Sequence, residues 1–354
     1  MDECIISGKD RYDLEVNMEK LELGVAYHGN RMLQHVKDDM RDIVAHNMNL
    51  VVHMFTHNDM GRHKNVMKDI FDVTRDAGLD FWVDNWGLAG KPGDPSHFLG
   101  YSPDSHRVLS DGTVDPVGVC FASEKFIEFT KQWIDMVGEV GGRKLFWDEP
   151  HYVTKADGTY ACCCDRCKKR FREKYGYEMP KTVNADVEQH RIDVMSDYFR
   201  EITDYSHKYG MTNYACLMPT SLAFMDALLD LPHIENIGID PYWYVFKEEA
   251  YPYVYDKTKQ FIDATKAKNK TTHAWIQTYE VPAGREDEIY LATDAAYDSG
   301  ARSILAWSYR GGEACDYRAD NCELVWQITG DAMRRVKDRF LDEQRAMYLN
   351  KKEK

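Results

Sequence analysis

The residues best suited to chemistry stand at the end of a short apolar segment near the middle of the chain. Residues 144–148 read Lys-Leu-Phe-Trp-Asp, and Glu149 and Pro150 follow directly. An apolar run that ends in two carboxylates before a proline is typical of a strand that delivers an acid to the rim of a parallel sheet. An acidic turn before a proline is the alternative. Paired carboxylates across a cleft can cleave a glycosidic bond, one as acid and the other as nucleophile or base.

Eight apolar runs separated by amphipathic stretches predict the elements that must position these residues. The predicted strands are 21–27, 50–55, 79–84, 144–148, 212–217, 234–240, 273–278 and 303–307. The predicted helices are 34–46, 64–77, 123–140, 185–209, 251–268, 286–299 and 322–348. Strand and helix patterns in alternation indicate βαβ units and a parallel sheet. Eight such units close most naturally into a (β/α)₈ TIM barrel.

A doubly wound open sheet is the rival fold, but residues 27–30 read Tyr-His-Gly-Asn and lack its Gly-rich phosphate-binding turn. We therefore expect one barrel domain over residues 1–354, with its core at about 20–335 and extensions at 1–19 and 349–354. No linker or repeat divides the chain. Two connections are long, 87–122 after the third strand and 150–184 after the fourth. Loops of this length in a compact domain are usually functional.

Charge and composition exclude several classes of partner. The 45 basic and 59 acidic residues give a net charge of −14, which repels phosphate backbones and anionic lipid headgroups. We expect neither a nucleic-acid nor a membrane partner. The first 16 residues do not resemble a signal peptide, and no apolar run approaches the ~18 residues of a membrane span. The sequence predicts a cytoplasmic protein and leaves a homo-oligomer open.

Polar and aromatic residues recur at the predicted strand ends, which meet at the C-terminal face of a barrel. Aromatic rings stack on the C–H faces of sugars, and charged acceptors bind sugar hydroxyls. Burial in the core is the alternative for any single aromatic residue. The substrate-binding candidates are His28, Asp84, Trp86, Asp148, His151, Tyr242, Trp243, Gln277, Trp307, Tyr309 and Arg310.

The segment 146–150, Phe-Trp-Asp-Glu-Pro, resembles the fourth-strand acid/base motif of clan A glycoside hydrolases, whose usual form is Asn-Glu-Pro. The resemblance implies that Glu149 is the proton donor, although Asp148 stands where Asn is expected. Trp307 matches the aromatic platform of that clan. The clan's nucleophile ends the seventh strand, where Glu280 is the available match. Asp240 directly follows an apolar run and precedes Pro241, so we favour it slightly over Glu280 as the second catalytic carboxylate.

Four of the nine cysteines lie at 162–164 and 167. A disulfide framework belongs to small secreted domains, which this chain is not. The segment 162–171 is similar to the Cys-x-Cys-x-x-Cys sequence, followed by a basic helix, of family 42 β-galactosidases. The resemblance implies a structural zinc held by Cys120, Cys162, Cys164 and Cys167, which would join the two long connections. Reduced cysteines that cap a helix are the alternative. We expect no cofactor for catalysis.

The sequence thus predicts a glycoside hydrolase that acts on a small or modified saccharide. A metal-dependent sugar isomerase or lyase on the same barrel is the first alternative, with His53, His57 and His151 joined by Asp84 or Glu149. The spacing of these histidines does not favour one metal site, since strand positions four apart lie ~13 Å from each other. A carbohydrate-binding protein without catalysis is the second alternative.

Overall fold

A computed structural model describes residues 20–90, 93 and 96–352. Eight parallel strands form a closed barrel in which the first strand pairs with both the second and the eighth. The predicted (β/α)₈ barrel is therefore confirmed. The barrel strands are Glu22–Tyr27, Leu50–Met54, Asp80–Asp84, Lys144–Trp147, Thr212–Leu217, Asn236–Ile239, Ala274–Gln277 and Ser303–Trp307. The predicted extension 1–19 lies outside the described residues.

Helices pack around the barrel at each of the predicted places. The long helices are Leu33–Ala45, Lys64–Asp76, Glu124–Glu139, Ala185–His207, Ala250–Ala267, Glu288–Asp298 and Cys322–Lys352. Two of them begin at a side-chain cap that satisfies a free backbone N–H: Ser123 accepts from Phe126 N, and Asn184 accepts from Val187 N. The last helix continues four residues beyond its predicted end. No helix in the described part of the chain is long and apolar enough to cross a membrane.

Side chains alternate along each barrel strand between two packed regions. Inward residues such as Val52, Trp82, Phe146, Trp275 and Leu305 fill the barrel interior. Outward residues join a larger core between the strands and the helices. Because strands of a closed parallel barrel are buried on both faces, they appear in the sequence as continuous apolar runs.

The two long connections contain short elements in addition to the predicted barrel strands and long helices. The connection after the third strand holds a helix at Phe98–Tyr101 and an antiparallel pair of strands, His106–Val108 and Val114–Val119. The connection after the fourth strand holds the helix Asp165–Tyr175. A bridge between Leu109 and Ala161 joins the two connections. The remaining short elements are Asp59–His63, Pro103–Ser105, Leu222–Phe224, Met225–Leu229, Trp243–Phe246 and Tyr309–Gly312.

Candidate active site at the barrel mouth

The barrel mouth, formed by the C-terminal ends of the eight barrel strands, holds four carboxyl groups. Asp84 ends the third barrel strand, two residues after inward-facing Trp82, and Asp148 follows inward-facing Phe146 in the same way. Strand alternation therefore directs both side chains into the mouth. Asp240 follows the sixth barrel strand and is 2% exposed. With Glu149, these residues form the acid cluster.

Glu149 reaches this cluster through an uncommon backbone conformation. Its φ angle is 37°, in the left-handed region that non-glycine residues rarely adopt. The backbone turn is held by His151, whose Nδ1 donates to the carbonyl oxygen of Glu149 at 2.7 Å. Arg107 donates in turn to the carbonyl oxygen of His151 at 3.3 Å. Strained residues of this kind concentrate at functional sites.

Glu149 and Asp240 lie within hydrogen-bonding reach of each other. Burial raises the pKa of Glu149 well above its usual value, and the charge and hydrogen bond of Asp240 raise it further. Burial and the charge of Asp148 raise the pKa of Asp240 to about 7, although hydrogen bonds from Glu149, Cys216 and Tyr242 oppose the increase. The contact therefore favours a proton on Glu149 and a charge on Asp240.

The pKa values of the other two acids, Asp148 and Asp84, are also raised. Burial raises the pKa of Asp148, and the charge of Glu149 adds to the increase. Burial likewise raises the pKa of Asp84, followed by the charge of Asp148. The Trp86 backbone N–H is close enough to lower the pKa of Asp84, but neither Asp84 oxygen has a well-formed hydrogen bond within the described residues. The surroundings of all four acids therefore disfavour their charged forms.

Three rings form an aromatic wall beside the acids. His28 packs edge-on against Trp86 at 4.5 Å and against Trp307 at 5.1 Å between ring centroids. The two tryptophans lie 6.1 Å apart and contact the barrel interior that contains Phe146 and Tyr242. Burial, and then the charge of Arg31, lowers the pKa of His28 to about 4, so this ring is neutral at physiological pH.

Two further side chains of the mouth were not identified from the sequence. Cys216 is fully buried near the end of the fifth barrel strand, in hydrogen-bonding reach of Asp240. Tyr279 packs edge-on against Tyr242 at 5.3 Å. Cys216 alternates with Tyr214 along its strand, and this pattern is the sequence signal that points to it. Tyr279 directly precedes Glu280 just after the end of the seventh predicted strand.

Three site candidates from the sequence lie outside the acid cluster: Trp243, Gln277 and Glu280. Trp243 is fully buried in the strand–helix layer, where its Nε1 donates to Glu288. The Gln277 side chain hydrogen-bonds to backbone groups: its Oε1 accepts from Tyr244 N, and its Nε2 donates to Tyr279 O. Glu280 is exposed. The acid cluster, as the structure brings it together, does not include these three residues.

Tyr309 and Arg310 line a neighbouring cavity rather than the acid cluster itself. The cavity has a volume of about 550 Å³ and includes His28, so it opens beside the aromatic wall. The Tyr309 hydroxyl donates to Asp42 at 2.9 Å. Arg310 is paired with Glu313 at 2.7 Å. This cavity can accommodate a substrate portion that extends beyond the mouth.

The histidines of the metal-dependent alternative are not brought together. His53 faces the strand–helix layer, where its Nε2 lies 2.8 Å from Thr74 Oγ1. His57 contacts Ser96 Oγ at 3.0 Å through its Nδ1. His151 holds the Glu149 carbonyl, as described above. Among the described residues, the groups with metal-binding spacing are the four cysteines and a surface set of His207, His233 and Glu235 at the opposite end of the barrel.

The four cysteines meet where the two long connections touch. The sulfur atoms of Cys120, Cys162, Cys164 and Cys167 all lie within 4.8 Å of one another, and all four side chains are buried. The Cys120 sulfur is 3.5 Å from that of Cys164 and 3.6 Å from that of Cys167. Tetrahedral zinc with Zn–S bonds of ~2.3 Å requires S···S separations of about 3.8 Å. The arrangement therefore fits a tetrahedral metal ion.

Comparison with known proteins supports the fold. A β-galactosidase from the psychrophilic Marinomonas ef1 superposes with a TM-score of 0.67 at 14% identity, covering 88% of this chain and 59% of that one. The catalytic domain of a β-amylase from Paenibacillus polymyxa gives 0.62 at 8% identity, covering 82% and 93%. An endo-1,4-β-mannanase from Rhizomucor miehei gives 0.60 at 12% identity, covering 90% and 96%.

The chain thus spans 59% of the length of the β-galactosidase. No protein-family model matches the sequence, and no curated protein matches it. At identities of 8–14% the similarity to solved structures shows the barrel fold.

Proposed function

We propose that this chain is a glycoside hydrolase that cleaves a glycosidic bond of a small or modified saccharide at the barrel mouth. The contact between Glu149 and Asp240 carries the proposal, because two carboxyl groups with different protonation states are the equipment for this reaction. The aromatic wall beside them suits the C–H face of a sugar ring. The three structural neighbours, a β-galactosidase, a β-amylase and an endo-1,4-β-mannanase, agree with the proposal.

In the proposed mechanism, Glu149 is the general acid. Burial and the charge of Asp240 raise its pKa and so favour the protonated carboxyl group, whose proton passes to the departing glycosidic oxygen. Asp240 acts in its ionised form, either by attacking the anomeric carbon or by taking a proton from water. The buried position of Asp240 excludes bulk water and strengthens its interaction with the positive charge that develops on the sugar.

The separation of the two catalytic carboxyl groups predicts the stereochemistry of a glycosidase. A retaining enzyme holds its carboxyl groups ~5–5.5 Å apart, and an inverting enzyme holds them ~6.5–9.5 Å apart. The separation of Glu149 from Asp240 in a complex with substrate therefore distinguishes the two stereochemical outcomes.

The other sequence candidates take supporting roles in this proposal. Asp84 and Asp148 face the sugar hydroxyls, and His28, Trp86 and Trp307 form the platform. His151 positions the backbone of Glu149, and Tyr242 bonds to Asp240. Glu280 is exposed, so we prefer Asp240 as the second catalytic carboxylate.

We also propose that the four cysteines hold a structural zinc ion. Four buried sulfur atoms at tetrahedral spacing support this assignment. The site joins Cys120 of the first long connection to the three cysteines of the second, and takes no part in the reaction. A zinc ion bound there would add metal–sulfur bonds to the backbone hydrogen bonds that join the two segments.

Turnover tests the proposed function directly. The purified chain is incubated with a panel of oligosaccharides and aryl glycosides of both anomers, before and after brief exposure to a chelator. We expect hydrolysis of at least one class of glycoside, unaffected by the chelator. Saccharide binding without turnover across the panel would instead identify a binding protein. Activity that requires an added divalent ion would favour the isomerase or lyase alternative.

A further inference from the structure

The acid cluster has no basic side chain to balance it. Within residues 20–90 and 96–352, no Lys or Arg is hydrogen-bonded or ion-paired with any of the four acids. Arg31 pairs with Asp59 at 2.8 Å, and Arg107, which also donates to the His151 carbonyl, pairs with Asp115 at 3.2 Å. His28 and His151 are the imidazole groups near the acids, and burial lowers the pKa of both. The mouth is therefore an acidic well, in which no cation balances the charge of an acid that ionises.

Two acids of this well present buried oxygens without partners. Asp84 is fully buried, and neither of its oxygens has a hydrogen-bond partner among the described residues. Asp240 is 2% exposed, and its Oδ2 is likewise without a partner there. A buried carboxyl group without a donor is costly, and this cost persists only where a ligand or another constraint compensates it. Asp84 is directed into the mouth by strand alternation, so its missing donor must come from the mouth side.

The aromatic wall also favours a cationic ligand. The electron-rich faces of tryptophan attract cations, and Trp86 and Trp307 both border the mouth. An anionic sugar, such as a uronate or a sulfated saccharide, would meet four acids and two such rings. A neutral sugar would donate hydroxyl hydrogen bonds but leave the charge of the well unbalanced. An ammonium group offers three donors and a positive charge together.

We propose, building on the glycosidase function above, that the substrate carries a free amine: an amino sugar whose ammonium group binds Asp84 between the acid cluster and the aromatic wall. The net charge of −14 also favours the approach of a cationic ligand over an anionic one. Asp84 is then the specificity residue, and Glu149 and Asp240 remain the catalytic pair.

Binding to a catalytically inactive variant tests this inference separately from turnover. Glu149→Gln is titrated by calorimetry with free-amine disaccharides of gluco, galacto and manno configuration, at a slightly acidic pH. Each is compared with its N-acetylated and its neutral hydroxyl counterpart. We expect at least one free-amine sugar to bind about tenfold or more tightly than both counterparts, as a charge-assisted contact provides.

A second variant assigns the preference to Asp84. Adding Asp84→Asn keeps the side-chain volume and should remove most of the tenfold preference, while the affinity for the neutral counterpart changes little. Amine binding should also release protons, because a cation lowers the pKa of the acids around it; titrations in buffers of different ionisation enthalpy measure this release.

Three outcomes would overturn the inference: equal affinities within each set, a preference that survives Asp84→Asn, or no free-amine sugar bound at millimolar concentration. The results also distinguish a failure of this inference from a failure of the glycosidase proposal. Hydrolysis of neutral glycosides without amine preference would refute the amine alone, whereas an Asp84-dependent amine preference in a chain that hydrolyses nothing would refute the glycosidase alone.

Discussion

Glu149 and Asp240 come from strands that are not neighbours. Burial and neighbouring acids, rather than a basic partner, shift the pKa of each. Burial raises the pKa of both groups, and their contact divides the proton between them. Glu149 was accessible from the sequence because its motif ends an apolar run before a proline. The contact itself was not, because it depends on barrel closure and on a backbone conformation that no local pattern encodes.

The pH dependence of activity should report both groups. Asp240 must lose its proton, so activity should rise with pH through about 7, and Glu149 must keep its proton, so activity should fall at higher pH. Tyr242→Phe removes a hydrogen bond that lowers the pKa of Asp240 and should move the acidic limb to higher pH. The measurement is a kcat/KM profile for both proteins. An acidic limb near pH 4, typical of an unperturbed carboxyl, would refute this assignment.

Asp240→Asn should abolish activity and stabilise the fold. The folded protein holds the Asp240 proton more tightly than the unfolded chain does, so the native carboxyl loses stability as pH rises from about 4 to about 7. Above pH 7 the variant should gain about 1–3 kcal/mol in the free energy of unfolding, and near pH 4 it should gain little.

Urea unfolding at both pH values measures this effect, with Asp226→Asn as a control because Asp226 is exposed on a short helix. A loss of stability above pH 7 would show that the charge of Asp240 is compensated in a way that its surroundings do not reveal.

At the scale of elements, the two long connections form one unit beside the mouth. The strand pair of the first includes Arg107 and ends directly before Cys120, and the second connection carries the other three cysteines and His151. Arg107 reaches the His151 carbonyl, and His151 holds Glu149. The sequence predicted the cysteine set but not the strand pair, because strands this short lack a readable alternation.

Adjacent cysteines provide a matched test of the metal site. Cys164 belongs to the four-sulfur group, whereas Cys163 is equally buried but packs in a separate cluster with Phe171. Cys164→Ser should remove the zinc and lower the melting temperature by about 5 °C or more. Cys163→Ser should retain about one zinc per chain.

Elemental analysis and thermal unfolding distinguish the two variants. Wild-type protein without zinc, or equal metal content in both variants, would contradict the assignment. Activity measured below the melting temperature should change little in Cys164→Ser, because the metal lies outside the reaction.

Over the whole molecule, all eight barrel strands were predicted within about two residues at either end. Parallel strands buried on both faces leave continuous apolar runs, and the helices between them keep a clear 3.6-residue period. The site was harder to predict, because a strand end reveals a residue type but not its direction. Trp243 illustrates this: one residue beyond Tyr242, it turns into the strand–helix layer instead of the mouth.

Barrel geometry also explains why the acid cluster is possible at all. The strands converge at one end and bring acids from the third, fourth and sixth strands together. The resulting repulsion would destabilise an isolated sheet edge. A closed barrel tolerates this repulsion, because packing of the surrounding core offsets the destabilisation that the acids cause.

The central claim is that Glu149 donates the proton to the leaving group, and the leaving-group dependence of Glu149→Gln tests it most directly. The control is Glu139→Gln, because Glu139 is 58% exposed at the end of an outer helix. We predict that Glu149→Gln loses ~10²–10⁴-fold in kcat/KM on unactivated glycosides. On aryl glycosides with good leaving groups, which need little protonation, it should lose far less. Wild-type rates on unactivated substrates, or an equal loss on both substrate classes, would contradict the claim.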